Sequence, residues 1–132
     1  MKALDTNVII RFLVNDDKKQ GETVKGLFLK AEREQESFYI TNPVLLEVIY
    51  VLESVYKFQR SEILNAIDSM VMMKILVFEN PDVLQRLTAI GERSTIELEY
   101  LLVGLIAHDN GCETTITFDK KAAKSNLFEL LD

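Results

Sequence analysis

The chain has 132 residues, 48% hydrophobic and 27% charged, which is the length of one ordinary domain and the composition of a globular rather than a disordered protein. A formal net charge of −6 argues against a protein that coats nucleic acid nonspecifically, because such binding rests on Lys and Arg neutralising phosphates. It does not argue against a nucleic-acid enzyme whose site is made of carboxylates around a divalent cation, since bound metal reverses the local sign. No apolar run reaches the length of a membrane span, and Lys2 is followed too soon by Asp5 for a signal peptide. Cys112 has no internal disulfide partner. A cytoplasmic protein without membrane contact is the expectation.

In chain order, Ala3-Leu4 reads as a short buried strand, and the apolar run from Val8 to Val14 has helical spacing. Residues 18–34 carry Val24, Leu27, Phe28 and Ala31 on one helical stripe. Phe38-Tyr39-Ile40 reads as a second strand. Asn42-Pro43 predicts an N-cap followed by proline at the first helical position, with the helix running to about Tyr56. Ser61 opens a helix through Met73, Lys74 to Phe78 is a third strand, and Asn80-Pro81 repeats the cap signal for a helix to Ile90. Ser94 begins a helix that ends near Asn110-Gly111, where glycine serves as the left-handed stop. Thr114 to Phe118 is a fourth strand and residues 127–130 a short edge strand. Strands alternating with helices indicate an α/β fold: a three-layer α/β/α sandwich around a parallel sheet of four to five short strands, in one domain over residues 1–132.

Four acids ask for a joint explanation. Asp5 ends the first strand, outside the carboxyl edge of a parallel sheet, where ligands of open α/β folds bind. Glu47 lies within an apolar helix, where a charge is expensive to bury unless it is paired or bound to a cation. Glu97 sits near a helix start, and Asp119 follows the fourth strand. If strands one and four are neighbours, Asp5 and Asp119 leave the sheet at one edge. Oxygen ligands of this kind suit Mg²⁺ or Mn²⁺ rather than zinc. Each acid also has a structural reading: Asp5 and Asp119 as caps of the following turns, Glu47 as a partly exposed helix charge, and Glu97 as the partner of Ser94 in a Ser-x-x-Glu capping box. Thr6, Asn7 and Thr117 would position carboxylates or phosphate, and Lys120 and Lys121 would hold a phosphate backbone. His108 stands alone, too few parts for a serine-type triad.

Ala3-Leu4-Asp5-Thr6-Asn7-Val8, Asn15-Asp16-Asp17, Val44-Leu45-Leu46-Glu47-Val48, residues 107–114 and Thr117-Phe118-Asp119-Lys120-Lys121 together resemble the PIN-domain family, and within it the VapC-like toxins of toxin–antitoxin pairs. The matches follow the family's order over nearly the whole chain. The resemblance implies a small α/β/α sandwich, a site of three or four acids with Mg²⁺ or Mn²⁺, hydrolysis of RNA phosphodiester bonds, a homodimer and a cognate antitoxin. Asp5, Glu47 and Asp119 fall on three family acids.

The fourth departs from the pattern. Counting back from Gly111 sets Glu97-Leu98-Glu99-Tyr100 against a motif like Asp-Phe-Ala-Asp, so Tyr100 stands where the usual acid would be. Glu97 shares a helix face with that position, whereas Glu99, two residues on and about 200° round a regular helix, is expected to point away. Either Glu97 substitutes, or the site has lost a ligand and binds metal weakly; a noncatalytic PIN-like binding module is the rival reading. Two other classes fit less well: a haloacid-dehalogenase-type phosphatase needs a second Asp where Asn7 stands, and a receiver domain needs an acidic pair at the first strand end.

Overall fold

The computed structural model describes residues 1–132. Strands β1 (Lys2–Ala3), β2 (Phe38–Ile40) and β3 (Leu76–Phe78) form a parallel sheet in that order, with Lys2 opposite Phe38 and Phe38 opposite Leu76. Strands β4 (Thr115–Thr117) and β5 (Phe128–Leu130) form a second parallel pair, Thr115 facing Phe128. The α/β fold with five short parallel strands is therefore as expected, but its hydrogen bonding is divided three and two, and β4 pairs with β5 rather than with β1. The strands are only two or three residues long, so their ladders contribute little and helix packing positions them.

Helix α1 (Thr6–Leu13) packs on α2 (Lys18–Glu34) and on α3 (Asn42–Ser54). Helix α3 also touches α4 (Arg60–Val71) and α6 (Leu98–Asp109), while α5 (Pro81–Gly91) lies against both α4 and α6. One continuous core runs through them, with Ile9, Phe38, Ile49, Ile63, Leu87 and Leu102 all buried. On α2 the predicted stripe is buried at Val24, Phe28 and Ala31, while Leu27 stays 41% exposed at its margin. Met70 is buried at the end of α4, and Met72 just beyond it is 84% exposed. No helix is long and apolar enough to cross a membrane.

Caps and stops account for most element boundaries. Gly111 adopts φ +91 after α6, the left-handed stop expected of it. The cap of α3 is displaced by one residue: the Thr41 hydroxyl accepts from the Val44 N–H at 3.4 Å, while Asn42 joins the helix and binds Glu79 and Asn80 with its amide. Helix α4 starts at Arg60, one residue before Ser61, because Gln59 and Glu62 make the capping box.

The largest correction concerns α6, which begins at Leu98 and not at Ser94. The Ser94 hydroxyl accepts the Ile96 N–H at 3.1 Å in a local turn, and Ile96 is buried. The Arg60 guanidinium donates to the Gly91 carbonyl at 2.7 Å and to the Ile96 carbonyl. This brace holds residues 92–97 out of the helix. Glu97 becomes an extended N-cap without a side-chain cap bond, so the Ser94–Glu97 capping box does not form.

Candidate active site

The parallel ladder carries the chain from β1 directly into α1 through Asp5, which is exposed and caps that helix. Its Oδ1 accepts the Thr6 N–H at 2.7 Å. Thr6 is buried, with a hydroxyl that has no hydrogen-bond partner, and Asn7 is exposed. Asp119 plays the equivalent part after β4: its Oδ1 accepts the Ala122 N–H at 2.8 Å, and its own N–H donates to the Thr117 hydroxyl at 3.0 Å. Each of these carboxylates spends one oxygen on the local turn and keeps the other free. Glu47 is exposed on α3 with no ion-pair partner, since the one salt bridge of the molecule joins Arg11 and Asp16 at 3.1 Å.

A cleft of about 230 Å³ lies between α3, α6 and the β4–β5 pair, lined by Leu46, Glu97, Glu99, Tyr100, Thr115 and Thr117 among others. Glu47 follows Leu46 in sequence and Asp119 stands two residues after Thr117, but neither acid lines the cleft. The Tyr100 ring packs edge-on against Phe128, centroids 5.8 Å apart. Lys120 and Lys121 follow Asp119 and are both exposed. His108 is exposed in the last turn of α6.

Glu99 is the residue that helical periodicity misplaced. Expected on the far side of the helix from Glu97, it lines the same cleft, because Glu97 is an extended cap and the rotation of about 100° per residue starts only after it. Glu99 is half-buried and meets Glu53 from the end of α3. Burial pushes its carboxyl up to about 8, helped by a hydrogen bond with Glu53 and by the negative charges of Glu53 and Glu97. The Oε1 atoms of both residues are buried without a donor. Two ionised carboxylates cannot bond to each other, whereas a proton held on Glu99 lets it donate to Glu53. The sequence signal for this pair was present in Glu53, the second charge on an otherwise apolar helix; its partner was not recoverable from spacing.

No three of the His, Cys, Asp and Glu side chains come together closely enough to enclose a metal ion. Of the four predicted acids only Glu97 lines the cleft, and the four are not drawn into one cage. The donor set still fits a hard divalent cation. It is all oxygen, with a carboxylate oxygen left free of hydrogen bonds at each of Asp5 and Asp119, and carboxylates, water and substrate phosphate are the ligands such an ion takes.

Compared with known proteins, residues 2–125 match the sequence profile of the PIN domain. A protein named VapC ribonuclease, from Aquifex aeolicus (strain VF5), is 25% identical over 125 residues, which span 94% of this chain and 91% of that protein.

Proposed function

The chain belongs to the PIN-domain family, and from that premise we propose that it is a divalent-metal-dependent endoribonuclease, the toxin of a toxin–antitoxin pair, working with Mg²⁺ or Mn²⁺. The observation that supports this reading is the similarity of the chain, over nearly its whole length, to a VapC ribonuclease, together with Asp5, Glu47 and Asp119 standing where the resemblance sets three family acids. Asp5, Glu47 and Asp119 would hold the ion, with Glu97 at the mouth of the cleft in place of the acid that Tyr100 replaces. When bound, such an ion polarises a phosphoryl oxygen and acidifies a bound water.

The chain's own residues supply position and charge. The Thr6 N–H holds one oxygen of Asp5 and the Ala122 N–H one oxygen of Asp119, which leaves the second oxygen of each available to a ligand. Thr117 steadies the backbone of Asp119, and Asn7 at the start of α1 is free to reach a carboxylate or phosphate. Lys120 and Lys121, exposed and without a carboxylate partner, attract the phosphate backbone to the strand end. A cognate antitoxin, a homodimer and a cytoplasmic location accompany this reading.

Tyr100 favours one rival, a PIN-like module that binds RNA without cutting it. Incubation of the protein with total cellular RNA and Mn²⁺ separates the two. A nuclease yields discrete fragments that EDTA prevents and that Asp5→Asn abolishes, and Mn²⁺ raises its melting temperature by mass action, a shift that Asp5→Asn largely removes. RNA bound but intact would favour the module. Intact RNA alongside hydrolysis of small phosphomonoesters would overturn both.

A further inference from the structure

Beside the site stands an apolar surface that neither the core nor the acids account for. Phe118, the middle residue of Thr117-Phe118-Asp119, is 76% exposed, and Ile116, two residues before it, is 62% exposed. Single exposed apolar residues are ordinary. Two together, immediately before a site acid, form a patch with an occupant to explain. The charge next to it points to one kind. Lys120, Lys121 and Lys124 fall within the five residues after Asp119, all exposed and none in an ion pair, in a chain whose net charge is −6. Across the ladder Ile116 faces Glu129, also exposed, so the other margin of the patch repels anions.

We propose that Phe118, flanked by Ile116, is a substrate-positioning residue that stacks on an unpaired base of the RNA while Lys120, Lys121 and Lys124 hold the phosphates on that side of the strand end. This rests on the ribonuclease reading and adds the form of the substrate to it. An aromatic plate beside a row of cations is the arrangement that holds single-stranded nucleic acid, each base offering a π face and each phosphate a charge. In a duplex both faces of every internal base are covered by neighbours, so the plate selects bases that are already splayed. The asymmetry of charge sets the direction: the backbone runs along the lysines, away from Glu129. The step that stacking serves is alignment of the adjoining phosphodiester with Asp119, one residue from the plate.

The test uses the full-length protein and two labelled probes, a short mixed-sequence single-stranded oligoribonucleotide and the same backbone with every base removed. Binding is read by fluorescence anisotropy in EDTA, so that no probe is cut. Phe118→Ala should weaken the base-bearing probe by about 5-fold or more, Phe118→Trp should restore it, and the abasic probe should bind wild type and Phe118→Ala alike. Met72→Ala, removing an equally exposed apolar side chain elsewhere, should change nothing. Equal affinity of wild type and Phe118→Ala for the first probe overturns the proposal, as does an equal loss on both probes or a wild type that holds neither. A change of sedimentation mass in Phe118→Ala would assign the patch to a second copy of the chain and overturn it too. Cleavage is then read separately in Mn²⁺: the predicted binding pattern with no cleavage would sink the ribonuclease reading and leave the stacking role standing, whereas cleavage with an unaltered Phe118→Ala would do the reverse.

Discussion

Replacing Glu99 with Gln tests the carboxyl pair inside the cleft. In the native protein Glu99 titrates near 8, against 4.5 for an ordinary glutamate, because burial and the facing Glu53 disfavour its ionised form. The sign follows from linkage. Between about 4.5 and 8 the folded protein keeps a proton that the unfolded chain has released, so the stability associated with this group is fully present below 4.5 and is lost as the pH rises through 8. At a fully desolvated site the shift would be worth nearly 5 kcal/mol; Glu99 is only half-buried, and solvent screening reduces this to ~1–2 kcal/mol. Gln has the shape of the protonated acid and an amide that donates to Glu53 at every pH. Glu99→Gln should therefore match wild type at pH 4.5 and melt higher at pH 9, by ~3–8 °C for a chain of this size. Differential scanning fluorimetry of both proteins in EDTA, at several pH values, reads the difference directly and removes any contribution from divalent cations. A difference that is constant with pH, or that grows toward acid, would refute the shared proton.

Three further outcomes follow from particular contacts. Arg60→Met removes the two charge-assisted bonds to the Gly91 and Ile96 carbonyls, and should cost ~2–4 kcal/mol in chemical denaturation, whereas a surface arginine would cost almost nothing. Gly104→Ala places a methyl 2.9 Å from the Phe128 ring and 3.0 Å from the Leu127 Cβ, so it should destabilise by ~1–3 kcal/mol instead of gaining the usual benefit of alanine in a helix. Glu97→Gln removes no cap bond and should leave the melting temperature within about a degree of wild type; if Glu97 is a ligand, calorimetric Mn²⁺ affinity falls in Glu97→Gln, and Tyr100→Asp compensates for that loss.

What the sequence determined by itself is what short stretches of chain decide locally. The alternation of strands and helices, the proline-led starts of α3 and α5, the stop at Gly111 and the buried stripe of α2 rest on periodicity and on residues within a few positions of one another. Asp5 and Asp119 were legible for the same reason, since each marks a junction between a strand and the turn after it. The rest was decided by groups distant in sequence. Ser94 and Glu97 have the spacing of a capping box, but Arg60, 31 and 36 residues away from the carbonyls it binds, holds the loop extended and moves the start of α6 to Leu98. That displacement took Glu97 off the helical screw, so that Glu97 and Glu99 both line the cleft. Asn42 yielded the cap of α3 to Thr41 because Glu79 and Asn80, at the end of β3, claim its amide. The pairing of β4 with β5 and the meeting of Glu53 with Glu99 likewise depend on how α3 and α6 pack against each other. A local pattern states which hydrogen bonds a residue is able to make, but which of them form depends on partners that only the folded chain brings within reach.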